Sequence, residues 1–416
     1  MKVCGSCHRL FPAEGGFCPV DGHKLSELAS APLPADQEDP RIGSQLLGRY
    51  TIYRKVADGG MGRVYQAYDA TAQRSVALKI LHPEVAVDDV ALERFRREFE
   101  VSSTLPHDHI VEVLGFERTP DRSYLLVMEY LEGEELRMLL KRDKVLPPER
   151  VIRMLSQTAL GLVAAHERKV VHRDLKPDNL FLCHTAEGDV CKILDFGSVR
   201  DNSENAKKLT VMGTTIGSPY YMSPEQAQGL PSLDHRADVW SAAAIAYECL
   251  TGKVPFPGRT GPSILLAILS NDPEPPSVAG KEHGVPVTLD EVIERALVKN
   301  PELRFGSMAE LADAFGHAYG LEGSHQDWAK TAESTLRRLI ADGLPRLLSQ
   351  REGAAPKLDM KSLDDAFRAG SVGGPAQLPD DLVIMGLPKR PAWFWPVVLG
   401  GGASLLLLVV LLLATR

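Results

Sequence analysis

Two short polar runs, each set among apolar residues, constrain this chain more than anything else in it. The first is Val170-Val171-His172-Arg173-Asp174-Leu175-Lys176-Pro177-Asp178-Asn179. The second, one short hairpin-like interval later, is Lys192-Ile193-Leu194-Asp195-Phe196-Gly197. Apolar flanks of this kind predict short buried strands, and strands hold the polar residues at their ends in a fixed place. The two loops would then converge Asp174, Lys176, Asn179 and Asp195. That set offers a base, a cation for phosphate, and two oxygen donors of the hard kind that Mg²⁺ takes alongside substrate phosphates.

Upstream, residues 49–53 and 63–68 alternate as strands around Asp58-Gly59-Gly60-Met61-Gly62. Glycines let a backbone approach phosphates closely with its N–H groups turned inward, although such a turn by itself is an ordinary hairpin. Val76-Ala77-Leu78-Lys79 is a strand ending in a lysine. Behind a glycine turn that ammonium is placed for phosphates rather than merely snorkelling. Residues 91–105 carry Phe95, Phe99 and Ser102 at helical spacing, with Arg94, Arg96, Arg97 and Glu98 assigned to other faces. Residues 110–116 and 124–129 read as further strands. The apolar stripe Ile152, Leu155, Ala159, Leu162 within residues 151–166 predicts a core helix.

Together and in this order, these motifs resemble the protein-kinase signature set. Gly59-Gly60-Met61-Gly62 and Tyr220-Tyr221-Met222-Ser223-Pro224-Glu225-Gln226 are similar in wording to the eukaryotic-like (Hanks-type) bacterial Ser/Thr kinases. The resemblance runs from about residue 50 to 315 and implies an α+β, bilobal fold, a small antiparallel sheet lobe packed on a larger helical lobe. ATP and Mg²⁺ would bind between them, and proteins would be the substrates. In the glycine-loop pattern Gly59, Gly62 and Val64 match, Gly60 lies between them, and Ala57 stands at the first glycine position. Lys79, held by Glu98, would orient the α- and β-phosphates. The Glu129 carbonyl and Leu131 amide would hold adenine, with Met128 as gatekeeper. Asp195 and Asn179 would hold Mg²⁺, Asp174 would take the proton of the acceptor hydroxyl, and Lys176 would neutralise the transferring group. Lys176 and Ser218 follow the Ser/Thr rather than the Tyr pattern. Asp238 resembles the aspartate that steadies the catalytic loop, and Arg304 the arginine that pairs with Glu225. Residues 198–217 read as a mobile, hydroxyl-rich segment in which Thr210, Thr214 and Thr215 are the expected regulatory phosphorylation sites. A phosphothreonine there could engage Arg173, and autophosphorylation would bring two copies together as a homodimer. The alternative is a pseudokinase scaffold; such chains usually lose Lys79, Asp174 or Asp195, and this one keeps all three.

The ends read differently. A formal net charge of -8 with 25% charged residues argues against nucleic acid as the main partner, which calls for a basic field. Residues 1–10 lack the apolar core of a signal peptide, so the cysteines are expected in a reducing compartment, where Cys-x-x-Cys points to metal or redox chemistry. Cys4, Cys7 and Cys18 crowd residues 1–28, a zinc-ribbon-like segment with Asp21 as first choice for a fourth Zn²⁺ ligand and His8 or His23 as alternatives. A reduced, disordered tail is the competing reading. Residues 29–48, rich in proline, read as a linker, residues 49–317 as the kinase domain, and residues 318–390 as a partly helical juxtamembrane stretch, either a docking helix or a spacer. Residues 393–414, within a span placed at 391–415, are almost wholly apolar with Trp393 and Trp395 at one end. That predicts a single C-terminal transmembrane helix at the inner (plasma) membrane. Lys389 and Arg390 just before it place the kinase domain in the cytoplasm.

Overall fold

The computed structural model describes residues 2–4, 10–11, 15–18, 22–27, 39–196 and 219–354. Near the N-terminus β1 (Lys2–Cys4) pairs antiparallel with both β2 (Leu10–Phe11) and β3 (Leu25–Glu27). Cys4, Cys18 and Leu25 are buried against one another. A tight turn brings this about: Cys18 N donates to His23 O at 2.7 Å and Gly22, at φ +74°, donates back to Cys18 O.

The stretch expected as a linker is packed from Asp39 onward. Asp39 accepts the Tyr65 hydroxyl at 2.8 Å, and β4 (Gln45–Leu46) adds an edge strand to the small-lobe sheet. The sheet continues with β5 (Tyr50–Asp58), β6 (Gly62–Asp69) and β7 (Arg74–Leu81). After α1 (Asp89–Ser102) come β8 (Val113–Arg118) and β9 (Tyr124–Glu129), and the strand order is β4-β5-β6-β7-β9-β8. The expected strand over 110–116 starts three residues late. Ile110 is instead taken by an isolated parallel bridge to Ile193, with Val111 N donating to Ile193 O. Alternating residues of β5, β6 and β7 (Tyr50, Ile52, Tyr65, Ala67, Val76, Leu78, Ile80) fill one face. The other face meets α1 through Phe95, Leu81, Val113 and Leu126. Complete burial of Phe95 contributes roughly 1.5–3 kcal/mol toward holding α1 there.

Residues 130–132 lead into the large lobe. A three-stranded sheet, β10 (Gly133–Glu135), then β11 (Leu180–Thr185) and β12 (Gly188–Ile193), lies over the helices. Between β10 and β11 run α2 (Leu136–Asp143) and α3 (Pro148–Glu167), the latter carrying the predicted apolar stripe. Gly161 lets α3 approach closely, since a Cβ there would lie 2.8 Å from Ile193 Cδ1 and 3.2 Å from His109 O. The remaining large-lobe helices are α4 (Pro224–Ala227), α5 (Arg236–Thr251), α6 (Gly261–Ser270), α7 (Pro276–Ala279), α8 (Asp290–Ala296) and α9 (Met308–Ala318). Their core centres on Trp240, stacked on Phe256 at 5.3 Å.

The helical spacing over 327–350 resolves into two helices, α10 (His325–Trp328) and α11 (Glu333–Ala354). They separate because buried side chains of α3 divert the intervening carbonyls. Gln157 donates to Ala329 O at 2.9 Å and Arg153 to Thr331 O. Both helices dock on the large lobe, with Trp328, Leu336 and Ile340 buried. At the crossing, a Cβ on Gly343 would lie 2.1 Å from Gly320 O. Among the described residues no helix is long and apolar enough to cross a membrane. The apolar stretch 393–414 lies outside the described residues.

Candidate active site

The glycine turn joins β5 to β6 tightly: Gly59 N donates to Gly62 O at 3.0 Å, and His82 Nε2 contacts Gly59 O at 2.9 Å. Gly62 is needed for close approach, because a Cβ there would sit 2.3 Å from Ile80 O. Ala57 lies within β5, paired with Val64, where the backbone has no use for glycine's freedom. Gly60 has open space around it.

Lys79, near the end of β7, meets Glu98 of α1 at 3.0 and 2.8 Å and Asp195 Oδ2 at 3.6 Å. Glu98 pairs with Lys79 as expected and is 5% exposed, so its assignment to a different face from Phe95 is corrected. Phe95 and Glu98, three residues apart, share one helix face. Burial, followed by the nearby Asp195 charge, pushes the Glu98 carboxyl up to about 7. Burial opposes the Lys79 ammonium, yet Asp195 and Glu98 together outweigh it and hold that pKa above its ordinary value.

The second half of the site comes from the loops around β11 and β12. Lys176 Nζ donates to Asp174 Oδ2 at 2.7 Å, and Asn179 Nδ2 donates to the Asp174 carbonyl at 2.7 Å. Leu194 N donates to Asn179 O at 2.9 Å, which binds the two loops edge to edge. Arg173 and Asp195 both adopt left-handed backbone, φ +64° and +56°, an arrangement that surrounding contacts must impose on residues with a Cβ. The fully buried Asp238 supplies part of that. Its oxygens accept the backbone N–H groups of His172 and Arg173, each at 2.9 Å, and it lies 2.8 Å from His166 Nε2. Burial disfavours the Asp238 carboxylate, but the His166 contact and the neighbouring charges and amides hold its pKa below the usual range.

Three contributors were given no role in the sequence reading. His172 bridges the loops through Nε2 to Leu194 O at 2.9 Å and an edge-on contact with Phe196. Gln226 donates to Arg173 O at 2.6 Å. Lys192 pairs with Glu129 at 2.6 Å, tying β12 to the end of β9. All three stood inside the quoted stretches, but nothing in their spacing marks what each one contacts. At the expected adenine edge, Met128 pairs with Ala77 and Val113, and Glu129 and Leu131 stand at and just beyond the end of β9. Below the catalytic loop, Arg304 and Glu225 form a buried bidentate pair, both contacts 2.7 Å.

Beside Lys176 a cavity of about 250 Å³ is lined by Arg137, Asp178, Tyr220, Tyr221, Glu248 and Val254. Gly197, Thr210, Thr214, Thr215 and Ser218 lie outside the described residues, as do Cys7, His8 and Asp21. Among the described residues no three His, Cys, Asp or Glu side chains gather as a metal set.

A family model described as "Protein kinase domain" matches residues 50–319. The chain is 33% identical over 326 residues to the serine/threonine-protein kinase pkn3 of Myxococcus xanthus, covering 78% of this chain and 58% of that protein. It is 34% identical over 334 residues to the serine/threonine-protein kinase PknB of Mycobacterium tuberculosis, covering 79% and 52%. The chain thus spans somewhat more than half the length of these relatives. Among solved structures, the Mycobacterium tuberculosis PknI kinase domain aligns with a TM-score of 0.52 at 30% identity, covering 67% of this chain and 98% of that one.

Proposed function

Because the chain belongs to the protein kinase family and is similar to bacterial Ser/Thr kinases, we propose that it transfers the γ-phosphoryl group of ATP to Ser and Thr hydroxyls of proteins. The observation that carries this reading is the meeting of Lys79, Glu98 and Asp195 within 3.6 Å, next to the Asp174–Lys176–Asn179 cluster. Phosphoryl transfer asks for positioning and charge neutralisation more than for covalent help.

In this reading Lys79, fixed by Glu98, orients the α- and β-phosphates, under a glycine turn whose tight backbone admits them. Asp195 and Asn179 fit Mg²⁺. The Asp195 side chain is 36% exposed, and because Asn179 uses its NH₂ on the Asp174 carbonyl, its amide oxygen is left for the metal. A Mg²⁺ held there by Asp195 and Asn179 would supply positive charge against that of the phosphates. Asp174 accepts the proton of the acceptor hydroxyl as that oxygen bonds to the γ-phosphorus. The bond to the β-phosphate oxygen breaks, and ADP leaves. Lys176, 2.7 Å from Asp174, neutralises the transferring group from the acceptor side and favours Ser/Thr acceptors.

The remaining assignments rest on the sequence: autophosphorylation in a homodimer at Thr210, Thr214 or Thr215, anchorage in the inner membrane through 393–414, and one Zn²⁺ on Cys4, Cys7, Cys18 and Asp21. Burial of Cys4 beside Cys18 supports the last. The central test is incubation of the protein with Mg·ATP, with phosphorylated residues mapped by mass spectrometry. Phosphoserine and phosphothreonine are expected, and Asp174→Asn should lower transfer about 10²–10⁴-fold while leaving ATP binding nearly intact. Nucleotide binding with no transfer by the unmodified chain would mark a scaffold instead. Membrane fractionation with and without 393–416, and elemental analysis for one zinc per chain, decide the other two.

A further inference from the structure

The two residues proposed to hold the metal stand at one end of a single ribbon. Asn179 immediately precedes β11 and Asp195 lies two residues past the end of β12, and the ribbon is closed between them by Leu194 N to Asn179 O. The other end is the two-residue turn Ala186–Glu187, and there a residue beyond the family match takes hold. Glu333, the first residue of α11, accepts the Asp189 N–H through Oε1 at 2.8 Å and donates its own N–H to Glu187 O at 3.1 Å. Its side chain lies flat on Gly188, whose φ of +116° and lack of a Cβ make the contact possible; a Cβ would be 2.6 Å from Glu333 Cγ. The Asp189 carboxylate is turned away, toward Arg150 at 2.6 Å and His184 at 2.8 Å. Glu333 thus takes one backbone donor of the ribbon with its carboxylate and one backbone acceptor with its own N–H.

From this geometry we propose that Glu333 is a positioning residue for the metal site, gripping the turn of the β11–β12 ribbon and so fixing where Asp195 and Asn179 stand. β12 is the edge strand of its small sheet, and among the described residues its outer side meets other backbone at Ile193, in the bridge to residues 109–111, which leaves the half nearer the turn without a strand beside it. What holds that half is side chains: Gln157 Oε1 accepts the Cys191 N–H at 2.7 Å, Arg153 donates to Asp189 O at 3.0 Å, and Glu333 closes the turn. Gln157 and Arg153 each also bind a carbonyl of residues 329–331. The segment after α10 and the strand leading to Asp195 therefore share one hydrogen-bond network. A short antiparallel ribbon transmits a tilt along its length, because its ladder of backbone hydrogen bonds fixes one strand against the other. Letting go of the turn should alter the approach of the metal ligands more than the nucleotide contacts of the small lobe.

This inference rests on the kinase reading for the identity of the metal ligands, and its test is independent of transfer. With the full chain, ATP affinity would be titrated over a range of Mg²⁺ concentrations in wild type, Glu333→Ala and Glu333→Gln. Amide hydrogen exchange of residues 189–195 would be followed in the metal-free proteins. Glu333→Ala should need about three- to tenfold more Mg²⁺ for the same ATP affinity, the scale expected when one charge-assisted hydrogen bond is lost and part of it reaches the site. Its affinity for metal-free ATP should be unchanged, and exchange over 189–195 should be faster. Glu333→Gln, whose amide oxygen can still accept from Asp189 N, should restore both. If the alanine variant does not fold, Glu333→Asp, which keeps the charge and shortens the reach, is read in the same way. An unchanged Mg²⁺ requirement, with or without a lower melting temperature, would overturn the proposal and leave Glu333 a purely structural contact. Failure of the wild type to transfer phosphate would sink the kinase reading alone.

Discussion

Lowering the pH from 8 to 6 should switch off the small-lobe half of the site through a single carboxyl group. Glu98 sits at about 7 because it is buried and because the Asp195 charge is close by. With that value it is about nine-tenths ionised at pH 8 and about one-tenth at pH 6. Protonation removes the negative partner of Lys79 at 2.8 Å and leaves the ammonium to Asp195 at 3.6 Å, turned from the phosphates toward the metal ligand. Below pH 7, kcat/KM for Mg·ATP should therefore fall about tenfold per pH unit until it reaches the level of the neutral side chain. Because bound Mg²⁺ offsets the Asp195 charge, the same limb in kcat should appear at lower pH, since kcat reports the loaded enzyme and kcat/KM the free one. The loss should not come from unfolding. A carboxyl whose folded pKa is raised binds its proton more readily in the folded chain, so this group favours folding as pH falls from 7 toward its unfolded value. Steady-state kinetics of wild type and Glu98→Gln, with near-UV circular dichroism at each pH, tests the argument. The glutamine variant should give a flat profile at the acid plateau of the wild type. A wild-type profile flat to pH 5.5, or the same limb in Glu98→Gln, refutes the assignment.

Arg304→Ala should lower unfolding free energy by about 3–5 kcal/mol, because it leaves the buried Glu225 carboxylate uncompensated; Arg304 is 3% exposed and also spans the Trp240 ring at 4.9 Å. Urea denaturation reads this, and a loss below about 1 kcal/mol would contradict it. Gly62→Ala should weaken ATP binding about tenfold, as the new methyl must push the turn off the Ile80 carbonyl, an overpacking cost of about 1–3 kcal/mol; nucleotide titration decides, and unchanged affinity counts against the close-approach argument. Gly343→Val should loosen α11 at its crossing with Gly320, seen as earlier proteolytic release of residues beyond 325 at a similar cost, and unaltered protection would mean that the crossing adapts.

The catalytic loops were legible because their chemistry is local. Asp174, Lys176 and Asn179 lie within six residues, and the apolar residues around them announce a rigid mounting. Glu98 was legible as a partner of Lys79 and yet misplaced on its helix. Periodicity assigns faces by hydrophobicity, and a charged residue that is buried because it is paired defeats that rule. The strand over 110–116 failed for a related reason: Ile110 and Val111 have strand-like side chains, but the backbone groups on either side of Ile110, His109 O and Val111 N, go to Ile193 in the other lobe. A one-dimensional pattern does not say which partner a strand-like residue will find. The docking of α11 was undetermined for the same cause, since Glu333, Gly320 and Gly343 carry no signal until the chain is folded.

The bridge between Ile110 and Ile193 has a mechanical consequence. Among the described residues the backbone joins the small lobe to the large one at two places, the strand connection 130–132, braced by the Lys192–Glu129 pair, and the segment from His109 to Val111, seated against β12 where Gly161 gives α3 room. Two attachments define a line, so the lobes can turn about that one axis as a door does, while sliding and twisting are resisted. Lys79, out on β7, swings on a long radius. The distance from Lys79 to Asp195, one residue in each lobe, is therefore a gauge of how far the door stands open, and it is 3.6 Å here.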